Sequence, residues 1–125
     1  MHRLALRPLL ALLGAYHLLL GAVMVIAPRR FFDELARYGA YNDHYIRDVA
    51  TFYLALGAVL LVAVARESWR IPLLAFATLQ YALHVVNHVW DVADAEPSWL
   101  GPANVVALAL IGVLTGWLLR APSPR

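Results

Sequence analysis

The sequence predicts an all-α membrane protein: a four-transmembrane-helix up-down-up-down bundle with a short interfacial amphipathic helix after the first span. Three observations carry this. Of 125 residues, 62% are hydrophobic and 14% are charged, where soluble domains run at roughly half and a quarter. Four apolar runs of about bilayer length take up most of the chain, leaving too little polar sequence to cover a water-soluble globule. Only one connection between the runs is longer than about a dozen residues, so consecutive helices must be antiparallel neighbours within a single domain, residues 1–125.

The first run covers residues 8–27, about 20 residues and roughly 30 Å of helix, and Pro28 stops it. Arg3 and Arg7 ahead of it raise the possibility of a secretory signal peptide. The run is long for one, however, and Ala27-Pro28 is a poor cleavage site, so it reads as a retained helix. The connection that follows places Phe31, Phe32, Leu35 and Tyr38 on one side of a short helix and Arg30, Asp33, Glu34 and Arg37 on the other, before Gly39 ends it. Such a segment lies in the interface plane or caps the end of the bundle. The second run, 49–65, closes at the polar stretch 66–70. The third, 71–90, opens with Pro72 in its first turn, where the missing N–H does no harm. The fourth, 102–119, ends at Arg120. Trp69, Trp90 and Trp99 fall at span ends, as interface anchors do.

Positive charge reads as topology. The basic residues are ten arginines and no lysine, giving a net charge of +2, too few and too scattered for a nucleic-acid surface. One face carries Arg3, Arg7, Arg66, Arg70, Arg120 and Arg125; the other carries Arg29, Arg30, Arg37 and Arg47. The connection 91–101 has Asp94 and Glu96 but no basic residue. These patterns place both termini in the cytoplasm, with a Pro-Ser-Pro-Arg tail that frays. The absence of cysteine excludes a disulfide framework, a thiolate nucleophile and an iron–sulfur site.

Function has to be sought in the polar side chains at hydrocarbon depth, since a charge at a helix centre costs roughly 2.5–3.5 kcal/mol. The third run carries Gln80, His84, Asn87, His88 and Asp91, spaced to form one helical stripe. At the start of the second run, His44 and Asp48 share a face at i and i+4. Antiparallel packing sets these two ends side by side near the outer leaflet, so His44, Asp48, His84, His88 and Asp91 are expected to converge. His84 and His88 could offer two imidazoles to one divalent metal, with His44, Asp48 or Asp91 completing a set suited to zinc, iron, manganese or copper. Gln80, Asn87 and Arg47 would be orienting groups. Haem is a weaker option: two histidines one turn apart cannot take opposite axial positions, so His44 or His17 would have to face His84. Without a cofactor, the pairs could relay protons or bind a polar head group.

Two further readings stand beside a metal or redox pocket. A metal-dependent enzyme acting on a lipid-phase acyl or prenyl compound would need the metal, because Thr51 and Ser68 have no evident base beside them. A non-catalytic accessory or homo-oligomerising subunit would use the G-x-x-x-G of Gly112 and Gly116, whose stripe Asn104 and Leu108 continue. His17 reads as a histidine bonded to a neighbouring helix, and Tyr53 and Tyr81 as packing residues with bonded hydroxyls.

The chain length, the four runs and the stretch Arg-Asp-Val-Ala-Thr-Phe-Tyr-Leu-Ala-Leu-Gly at 47–57 resemble the small four-helix bacterial membrane proteins grouped as DoxX-like. The likeness covers hydropathy over the whole chain and this one stretch in detail. It implies the four-helix membrane fold, a bacterial-type inner membrane and a link with redox or thiol stress. The pattern of His84, His88 and Asp91 is not part of what that group shares.

Overall fold

The computed structural model describes residues 2–120, with side chains from Leu6 onward. The frayed-tail expectation, Arg125, and the side chains of His2 and Arg3 therefore lie outside the described residues. The described chain is all-helical: α1 (His2–Ile26), α2 (Pro28–Leu35), α3 (Asp43–Ala65), a single 3-10 turn (Glu67–Trp69), α4 (Arg70–Trp90) and α5 (Leu100–Leu119).

The helix boundaries follow from local chemistry. Pro28 cannot continue α1 but suits the first turn of α2. On the outer side of α2, Arg29 pairs with Asp33 and Arg30 with Glu34, each at 2.8 Å, and the hydrogen bond that Arg29 donates to the Asp33 carboxylate raises its guanidinium above its ordinary value. Phe32 on the inner side is buried. The helix stops at Leu35 rather than running to Gly39, because Tyr38 leaves it to pair with Ala95 in an isolated antiparallel bridge. Gly39 follows at φ +68°, the left-handed turn that sends the chain back toward α3. The start of α3 lies earlier than the apolar pattern alone predicts: the Asn42 side chain accepts from the Tyr45 N–H at 3.0 Å and caps it. At the far end of α3, Arg70 is 12% exposed in its side chain. It donates to the carbonyls of Ala63 and Val64 at 3.0 and 3.1 Å and to Glu67 at 2.9 Å. It thus closes the carbonyl end of one helix from the first residue of the next.

The helices associate as two tight antiparallel pairs, α1 with α3 and α4 with α5. Small residues make each seam. A Cβ on Gly57 would lie 2.8 Å from the Leu18 backbone nitrogen and 2.9 Å from the Gly14 carbonyl oxygen, so α1 and α3 touch backbone to backbone. On α5, Gly112 and Gly116 face Tyr81 and Thr78 of α4. The G-x-x-x-G face, expected to approach a helix of the same or of a second subunit, is therefore occupied within the chain.

One end of the two pairs is closed by Leu10, Leu13, Leu56, Leu60, Ala63, Leu74 and Leu118. At the other end α2 folds over the bundle, with Phe32 packed among Met24, Ile46, Ala50 and Tyr53. α2 thus caps this end of the bundle.

The outer surfaces are apolar, as in a membrane protein: Leu12, Leu19, Leu110 and Val113 are each about two-thirds exposed. Leu6–Ile26, Asp43–Ala65 and Leu100–Leu119 are long and apolar enough to cross a membrane. The third run of the sequence, α4, is less apolar than these three. Gln80, His84, Asn87 and His88 fall within it and lower its average.

Candidate functional site

Between the two helix pairs, under α2, lies a cavity of about 570 Å³, a size typical of small-molecule sites. Tyr16 of α1 and Tyr53 of α3 line it, and behind them, outside the lining, lies a buried histidine. His17 is 1% exposed. Its Nδ1 lies 2.6 Å from the Leu13 carbonyl, and its Nε2 lies 2.7 Å from the Tyr81 hydroxyl. A carbonyl only accepts, so Nδ1 carries the proton and Nε2 accepts from Tyr81. The ring stacks on Tyr53 at 5.6 Å and meets Tyr16 edge-on at 5.2 Å. This bond ties α1 to α4 across the gap between the pairs. With both nitrogens engaged, His17 has none left to face His84 across a haem.

The polar wall comes from α4 and α5. His84, Asn87, His88 and Asp91 all line the cavity, joined by Asn104. The rings of His84 and His88 are 4.8 Å apart. Nδ1 of His84 is buried without a hydrogen-bond partner among the described residues. The opposite wall is apolar, formed by Leu20, Met24, Phe32, Ile46 and Val49.

Tyr38 closes the top. The Asn104 amide nitrogen donates to the Leu35 carbonyl at 2.9 Å and to the Tyr38 hydroxyl at 3.2 Å. That hydroxyl lies 3.1 Å from His88 Nδ1, and the two rings meet edge-on. Because the hydroxyl already accepts from Asn104, its own proton is the one to donate to His88, leaving a neutral His88 with its proton on Nε2. The strap is also fixed along its backbone, where the Glu96 N–H donates to the Arg37 carbonyl at 3.0 Å and the two side chains pair at 3.4 Å.

The structure brings together only part of the expected cluster. His44 and Asp48 pair with each other at 3.4 Å, with side chains 85% and 67% exposed, and neither lines the cavity. Arg47 turns back to Asp43 at 2.9 Å rather than orienting the histidines, and Gln80 lies below the lining. Among the described residues no group of three or more His, Asp or Glu side chains is placed to hold a metal ion. The expected five-residue metal set therefore does not assemble. The reason is the facing of α3, whose inward stripe is Ile46, Ala50, Tyr53 and Leu56. At 100° per residue, His44 and Asp48 each point about 160° away from Ile46.

Sequence reasoning missed Tyr38 and Asn104 as site residues. Their partners are 50 and 66 residues away in the chain, and no local pattern signals such contacts. The inward stripe of α3, by contrast, was present as an apolar periodicity.

No family model, curated protein or solved structure matches the chain.

Proposed function

We propose that the chain is a four-span membrane protein that binds an amphipathic molecule from the lipid phase, its polar head on the His84–Asn87–His88–Asp91 wall. The observation that carries this is the roughly 570 Å³ cavity with an imidazole pair on one wall and hydrocarbon on the other. His84 Nδ1 is buried without a hydrogen-bond partner among the described residues, a cost of about 1–3 kcal/mol that packing alone does not offset, which supports a functional role for this wall.

A fourth span in α4 is supported by its outer face. Leu79, Leu83, Val86 and Trp90 are 61–88% exposed, so the helix presents hydrocarbon outward and its polar stripe inward, the arrangement a polar helix in a bilayer requires. The acidic connection after α4 supports setting the cavity in the outer leaflet.

The test is to fill the cavity. Ala107 lines it from α5, and Ala107→Trp occupies that space. Native mass spectrometry of protein released from bilayer discs should show a bound lipid-phase molecule on the wild type. It should be lost from Ala107→Trp, with the helical circular-dichroism signal unchanged. Equal adduct on both proteins places the molecule elsewhere on the surface and overturns the reading.

A further inference from the structure

The charge around the cavity and a second, adjoining groove narrow the class of ligand, taking the cavity-binding reading as given. Among the described residues Asp91 is the only Asp, Glu, Lys or Arg in the lining, and it makes no ion pair. It caps the C-terminus of α4, where the free carbonyls of the last turn add negative potential. The arginines at this end are already committed: Arg29 to Asp33, Arg30 to Glu34, Arg37 to Glu96 and Arg47 to Asp43. Four arginines here face seven carboxylates, with Asp48, Asp91 and Asp94 left over. An anionic head would enter an acidic pocket with no cation to receive it. An amine would find Asp91, a carboxylate with no cation paired to it, and could donate a charge-assisted hydrogen bond to it.

The groove gives the apolar chain its route. A depression of about 360 Å³ runs between α1 and α2 on the outer surface, mostly apolar, with the Arg30–Glu34 pair among its α2 lining. Tyr16, Leu20, Phe31 and Leu35 line both it and the main cavity, so the two adjoin at those side chains. Leu19 and Val23 extend the groove along α1, and Leu19 is 69% exposed on the outer surface.

We propose that the ligand is a single-chain amphiphile with a cationic amine head, held at Asp91 beside His84 and His88, whose hydrocarbon chain leaves the bundle between α1 and α2. The head is selected by charge and the chain by the groove.

Three photoreactive probes of equal chain length, with amine, alcohol and carboxylate heads and a diazirine at the chain end, test this on the full chain in zwitterionic bilayer discs. Cross-linked peptides are mapped, and saturability is checked against unlabelled amine. The amine should label the α1–α2 region about tenfold more than the carboxylate, the size of effect one charge-assisted hydrogen bond provides. Asp91→Asn should bring the amine down to the level of the alcohol. Equal saturable labelling by all three heads, or a preference for the carboxylate, overturns the amine assignment while leaving cavity binding in place. Saturable labelling confined to the outer faces of α4 and α5 overturns the chain route. No saturable labelling by any probe removes the cavity-binding reading itself.

Discussion

Deleting the Tyr81 hydroxyl tests the joint that holds the two helix pairs together. In Tyr81→Phe the ring and its packing stay, and the 2.7 Å bond to His17 Nε2 is lost. Both residues are 1% exposed, so water has no easy access to the stranded acceptor. A single interhelical hydrogen bond in a membrane protein averages about 0.6 kcal/mol and reaches about 1.7. Leaving a buried acceptor without a partner adds a cost of about 1–3 kcal/mol in general. The short bond and the enclosed site put this case toward the upper part of the membrane range, a loss of about 1–2 kcal/mol. His17→Phe should cost a similar amount, since it strands the Tyr81 hydroxyl in turn. The double variant strands neither group and should lose less than the sum of the single variants. Reversible unfolding in mixed micelles, followed by circular dichroism as a double-mutant cycle, measures the coupling. The expected coupling is about 1 kcal/mol. Additivity within about 0.3–0.5 kcal/mol would show that the bond carries no such load and does not tie α1 to α4.

Two further outcomes follow from the geometry. Gly57→Ala sets a methyl against the backbone of Leu18 and Gly14 at under 3 Å, which neither helix can relieve by a side-chain rotation. It should destabilise by about 1–3 kcal/mol in the same unfolding assay, whereas Gly112→Ala meets only the Tyr81 Cβ at 3.3 Å and should lose distinctly less. Elemental analysis of purified protein should find no stoichiometric zinc, iron, manganese or copper, and the same for His84→Ala/His88→Ala. A stoichiometric metal in the wild type that the double variant lacks would displace the hydrogen-bonding role given to these histidines.

The polar stripe on α4 was legible from spacing alone. Residues 80, 84, 87, 88 and 91 share one side of any helix they form, and burying polar groups away from lipid turns that side inward. His84, Asn87, His88 and Asp91 do line the cavity. The same reasoning misplaced His44 and Asp48, because an i, i+4 pair fixes a common face without saying which way it looks. Five apolar residues at helical spacing, Ile46, Ala50, Tyr53, Leu56 and Leu60, outweigh two polar ones near the membrane surface, where water satisfies His44 and Asp48 at little cost.

Composition and periodicity by themselves determined the helical character, the apolar exterior and the inward turn of the α4 stripe. All of these depend on transfer free energies and on the 3.6-residue repeat, which belong to each segment separately. Only the tertiary structure decided that Gly112 and Gly116 serve a seam within the chain, that α2 caps a cavity, and that Tyr38 and Asn104 close it over His88. Those outcomes depend on how closely particular backbones approach and on which distant side chains then come within hydrogen-bond reach. A one-dimensional pattern holds neither quantity.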